Sequence, residues 1–135
     1  MRQAACRAAV VAAAVWVTVL AQAAPQLKDP KIASRALTDA DMEKYVAILG
    51  EVKKAQKGIA AISSPAGMEA QRQATARACD AQGWGTLDYG VVDARVKTAQ
   101  QHIRMEKTTP VPASKAADVA LVRAWAAKIA EAGKR

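Results

Sequence analysis

The chain has 135 residues, room for one modest domain once a leader is set aside, and too few for two. Apolar residues make up 52% of it, but aromatics only 4%, and phenylalanine is absent, so the core is expected to be thin and filled largely by alanine and aliphatic side chains. A single histidine excludes a histidine-based metal cluster within one chain, and the formal charge of +8 is basic without being extreme.

Met1 to Ala23 read as a secretory signal peptide. Arg2 and Arg7 precede the apolar run of residues 8–20, and the small residues Ala21 and Ala23 suit cleavage after Ala23. A bilayer span needs about 20 consecutive apolar residues. This run is shorter, so cleavage is expected over retention as an anchor, with no stable membrane span afterwards. Cys6 lies before the apolar run, where a lipid-modified cysteine would not stand. The expected location is exported, periplasmic or secreted.

Losing Arg2 and Arg7 leaves 18 of the 20 basic residues against 12 acidic ones, a net charge of +6. It also leaves Cys79 as the single cysteine, so no internal disulfide can form. Cys79 reads as a small apolar residue near a helix end; the alternatives are a disulfide linking two copies and a reactive thiol.

Residues 24–36 read as a flexible tether, with Pro25 and Asp29-Pro30 and no sustained period, leaving 37–135 as the helical domain. Thr38 opens the clearest helix, over 39–62, with Leu37 and Met42 placed as a hydrophobic staple and Asp41 at the third helical position. Tyr45, Ile48, Val52, Ala55, Ile59 and Ile62 recur every three or four residues as one apolar stripe. Gly50 and Gly58 weaken this helix and mark where it could bend or split.

Ser63-Ser64-Pro65 supplies a stop and a restart for a second helix over 65–82. Its one regular apolar line is Ala70, Ala74, Ala78 and Ala81, with Met68, Arg72, Thr75 and Cys79 on the other side. Gly83 stands where helices end in a left-handed cap. A third helix over 87–106 follows Thr86, and its stripe of Tyr89, Val92, Val96, Ala99 and Ile103 is expected to meet that of the first. After the proline-containing linker 108–112, a last helix over 114–132 carries Val119, Leu121, Val122, Trp125 and Ile129. The expected fold is therefore all-α, a small three- to four-helix bundle following the cleaved signal peptide.

No catalytic constellation emerges. His102 and Cys79 are the only members of a nucleophile–base pair, and no third group orients them. Asp39, Asp41 and Glu43 lack the oxygen-ligand spacing of a calcium loop and suit the dipole of the helix they begin. No cofactor and no metal site is expected. The glycine-flanked aromatics Trp84 and Tyr89 form a candidate partner surface, with a tryptophan plugging a helix corner as the alternative. Lys53, Lys54 and Lys57 are the densest basic stretch, read as a solvated face or as contact to an anionic partner. They lack the interleaved aromatics of a single-strand binder, so nucleic acid is not the expected partner.

The blocks Leu37-Thr38-Asp39-Ala40-Asp41-Met42-Glu43-Lys44-Tyr45-Val46-Ala47-Ile48 and 83–96, Gly83 through Val96, resemble small exported bacterial helical proteins of uncharacterised function. That resemblance implies an envelope location and transfers no catalytic residue, cofactor or substrate. The function expected is that of an exported, noncatalytic helical interaction protein with an unknown protein partner. The alternatives are a basic module that binds an anionic envelope component or lipid surface and, last, an enzyme using Cys79 or His102.

Overall fold

The computed structural model describes residues 27–135, so the signal-peptide reading of residues 1–23, Cys6 included, and the first part of the tether lie outside the described residues. Among the described residues four helices follow one another: α1 (Asp39–Lys57), α2 (Pro65–Ala81), α3 (Thr86–Met105) and α4 (Ala116–Lys134), the last entered through a short 3-10 turn, Ala113–Lys115. Among the described residues there is no strand, and the all-α reading holds.

The helix starts are where the capping chemistry puts them. The Thr38 hydroxyl accepts from the Asp41 backbone N–H, and the Asp41 carboxylate accepts from that of Thr38, a reciprocal box that satisfies two otherwise orphaned donors. The Ser64 hydroxyl accepts from the Gly67 N–H at 3.0 Å, with Pro65 in the first turn. Between α2 and α3, Gly83 takes φ 73°, the Gly83 N–H returns to the Asp80 carbonyl, and the Trp84 N–H returns to that of Cys79. This is the Schellman arrangement, and the two positions of its accompanying apolar contact are held by Cys79 and Trp84, both buried.

α1 stops at Lys57, short of the expected Ile62. Gly58 caps it, the N–H groups of Gly58 and Ile59 fold back onto Ala55 and Gln56, and Ile62 ends in an exposed turn. That turn then lies so close to α2 that a Cβ on Gly67 would sit 1.9 Å from the Ala61 carbonyl oxygen. Because the obstacle is backbone, Gly67→Ala is expected to cost about 2 kcal/mol, read as a melting temperature lowered by roughly 10 °C. A melting curve that does not move would show that the turn yields freely.

The packing departs from a simple up-and-down order. The Trp125 indole N–H reaches the Asp39 carboxylate at 2.7 Å, and the Lys57 ammonium reaches the Lys134 carbonyl at 2.7 Å, so α4 runs in the same sense as α1. The linker achieves this by doubling back along α3 until Asp118, near the start of α4, stands beside Arg95. The stripes of α1 and α3 do meet, through Tyr45, Tyr89 and Asp93, but across the core; the closest neighbours of α1 are α4 and α2, and α3 leans chiefly on α4. Met42, Tyr45, Ile48, Val52, Val92, Val96, Ala99, Val119, Val122, Trp125 and Ile129 fill the interior.

In α2 the alanine line stays partly exposed and the buried positions are Gly67 and Cys79, since alanines offer little area to bury. The flexible-tether expectation is corrected, because the described part of the tether is fastened. Ile32 is 0% exposed within the core, the Lys28 and Asp29 N–H groups end on Asp88, and the Ile32 and Arg35 carbonyls end on Arg95. The segment lacks a period because it is a turn that buries one side chain and bonds through its backbone.

Candidate functional site

Because α2 and α3 barely touch, the bundle is open on that side, and a groove of about 460 Å³ runs between them. Tyr45, Val52, Tyr89 and Ile129 contribute its apolar lining. Gln56 from α1, Gln71 and Thr75 from α2, and Gln100 from α3 add polar side chains, with Lys53, Asp93 and Lys97 supplying charge. Four helices thus contribute to one concavity, and nothing in the local sequence of any of them announces it.

Its chemistry is that of a binding surface. Tyr45 and Tyr89 stack with ring centroids 5.7 Å apart and planes inclined by 24°. The Tyr45 hydroxyl donates to Asp93 at 2.8 Å, and the Lys97 ammonium pairs with the other Asp93 oxygen at 2.7 Å. Burial, reinforced by the Asp93 charge, holds both phenols well above their ordinary range, so neither supplies a phenolate base near neutrality. Asp93 is engaged on both oxygens. What remains to offer are amides, a hydroxyl, the Lys53 ammonium and apolar walls, groups suited to holding a partner. A smaller cleft of about 120 Å³ lies beside Arg95 and Asp118, whose charges are committed to each other.

The residues singled out from sequence scatter. Tyr89 and Lys53 line the groove. Trp84 is buried at the α2–α3 corner with the Lys44 ammonium 5.9 Å from its ring, so it plugs the core and does not present a surface; the corner-plug alternative is the one the structure shows. Lys54 and Lys57 are exposed on the far end of α1. Cys79 is 0% exposed, and burial, with Asp80 and Asp88 adding to it, pushes its thiol up to about 11. A disulfide between two copies therefore requires this corner to open. His102 stands sixteen residues along α3 from Thr86, roughly 24 Å of helix away from the end where Cys79 lies. The two do not form a pair.

The acidic start of α1 is likewise spoken for: Asp39 accepts from Trp125, and Asp41 holds Arg35 through both oxygens at 2.6 and 2.8 Å. Arg35, aided by Thr38, holds the Asp41 carboxyl down at about 2, against 3.8 ordinarily. A carboxyl depressed on folding stabilises the native state above its unfolded value and loses that contribution as pH falls through the folded one. Stability is thus expected to drop by about 2 kcal/mol between pH 4 and pH 2 from this group. Urea titrations of wild type and Asp41→Asn should converge across that window; parallel curves would remove Asp41 from the account.

Sequence reading missed Arg95 and Asp88 as organisers. Asp88 is visible as a first-turn acid after Gly85, but its bonds to Lys28 and Asp29 cross about sixty residues. Arg95 falls off the apolar stripe and looks solvated, yet its side chain is only 17% exposed. Compared with known protein families, curated proteins and solved structures, the chain finds no match.

Proposed function

We propose that this is an exported, noncatalytic helical interaction protein, periplasmic or secreted, that receives a protein partner in the α2–α3 groove. The observation that carries this reading is the groove itself: polar side chains from α1, α2 and α3 surround apolar walls at a side of the bundle that the described helices leave open. Partner surfaces of this composition exclude water at the centre and hydrogen-bond at the rim. The test immobilises the protein, exposes it to envelope extract of the producing cell and washes at moderate salt. Wild type retains a partner; Thr75→Arg, which fills the groove from α2, releases it. Equal recovery on both proteins, or nothing above background on either, removes the reading.

A second reading, a basic module for an anionic envelope component, is favoured by one feature of the packing. Because α4 shares the sense of α1, the C-terminal Lys134 and Arg135 come to the end of the bundle that already bears Lys53, Lys54 and Lys57. Binding of this kind weakens steeply with salt. Retention on an anionic matrix that is the same at low and high salt would exclude it.

A further inference from the structure

We infer that the end of the bundle where α1 and α4 terminate docks on an anionic lipid bilayer, an inference that rests on the basic-module reading and specifies its partner. The topology makes this end. α1, α3 and α4 finish there and α2 begins there, so residues distant in sequence share one pole: the Lys57 ammonium lies on the Lys134 carbonyl, and the Arg135 side chain lies over Gly50. Lys53, Lys54, Lys57, Lys134 and Arg135 outnumber Glu51 and Glu131, while Glu106, at the end of α3, is engaged by Arg123 and Glu69, near the start of α2, by Arg72. At the opposite pole stand Asp29, Asp39, Asp41, Asp80 and Asp88; of its cations, Lys28 pairs with Asp80 and Arg35 with Asp29 and Asp41, while Lys31 and Arg77 are exposed. The molecule is electrically lopsided, and one pole alone suits a negative surface.

Apolar exposure distinguishes a bilayer from a soluble polyanion. Ile62, 40% exposed, lies in the turn that follows Lys57, Met68, 61% exposed, lies in the first turn of α2, and Met105, also exposed, ends α3 at the same pole. A soluble polyanion would engage the cations and leave these three side chains in water. A bilayer takes both, cations among the headgroups and apolar side chains at the acyl boundary. Leu27 and Leu87 are also exposed, but at the opposite pole among its carboxylates, so what marks this pole is the coincidence of exposed apolar side chains with cations, the two kinds of group that such an interface binds.

The test floats the full chain with vesicles of phosphatidylglycerol in phosphatidylcholine, against phosphatidylcholine alone. Wild type is expected to favour the anionic vesicles, and the combined Lys54→Gln, Lys57→Gln and Lys134→Gln variant to partition about a hundredfold less. Lys28→Gln, Lys31→Gln and Arg77→Gln together remove the same charge from the other pole and should change partitioning by less than about threefold. Met68→Trp should gain emission that brominated acyl chains quench, and Leu87→Trp, at the opposite pole, should not. Equal loss from the two triple variants, or equal quenching at the two positions, overturns the inference. Salt-sensitive retention on polyphosphate without preference for anionic vesicles overturns it while the basic-module reading stands; binding to neither overturns both.

Discussion

Replacing Asp88 with asparagine is expected to lower the unfolding free energy by about 3 kcal/mol, a large share of what a domain of this size possesses. The carboxylate is 0% exposed and surrounded by donors: one oxygen accepts from the N–H groups of Lys28 and Gly85 at 2.7 and 2.8 Å, the other from Asp29 at 2.8 Å. Asparagine has one acceptor oxygen, so its amide nitrogen must face at least one of those N–H groups, donor against donor. Asp88→Ala leaves all three backbone donors without their acceptor and should cost at least as much. Urea midpoints measure the loss, and hydrogen exchange at Lys28 and Asp29 locates it. If Asp88→Asn unfolds within about 1 kcal/mol of wild type, the carboxylate is not the anchor described.

Arg95→Ala should be comparably severe, about 3 to 5 kcal/mol, because it deprives two different sets of groups. The guanidinium grips Asp118 through Nε and Nη2 at 2.9 and 2.7 Å, and its Nη1 donates to the carbonyls of Ile32 and Arg35 at 2.8 and 2.7 Å. Truncation strands a carboxylate that is only 12% exposed and releases both carbonyls. Two companion variants separate these losses. Arg95→Lys keeps the charge but cannot form the planar fork, so it should restore less than half of the stability. Arg95→Ala combined with Asp118→Ala removes the stranded charge and should be more stable than Arg95→Ala alone. If the double variant simply adds the two single losses, Arg95 and Asp118 are not coupled as their geometry requires.

What the sequence disclosed and what it concealed follow from the range of each interaction. The α1 and α3 stripes are legible because Tyr45, Ile48 and Val52, and Val92, Val96 and Ala99, repeat with the helical period and end up buried. Thr38, Ser64 and Gly83 are legible because capping is settled within a few residues. Ile32 is not, since one buried side chain in a turn has no period and the groups that fasten its segment, Asp88 on Lys28 and Asp29 and Arg95 on Ile32 itself, stand some sixty residues downstream. The buried positions of α2, Gly67 and Cys79, were not legible, because an alanine line has the period of an apolar stripe without the volume that makes one bury. The groove was invisible for a related reason: it exists only where α2 fails to close on α3, a property of the pair that neither sequence contains.

The fastening of residues 28–35 also sets an order of events during biosynthesis. These residues leave the ribosome ahead of α1 to α4, yet the groups that receive them, Asp88 and Arg95, and the Asp118 that holds Arg95, are made long afterwards. Closing such long loops is the slow, entropically costly part of folding. Residues 28–35 therefore cannot settle until α3 and the start of α4 have been made, and until they do the Ile32 side chain stays in water.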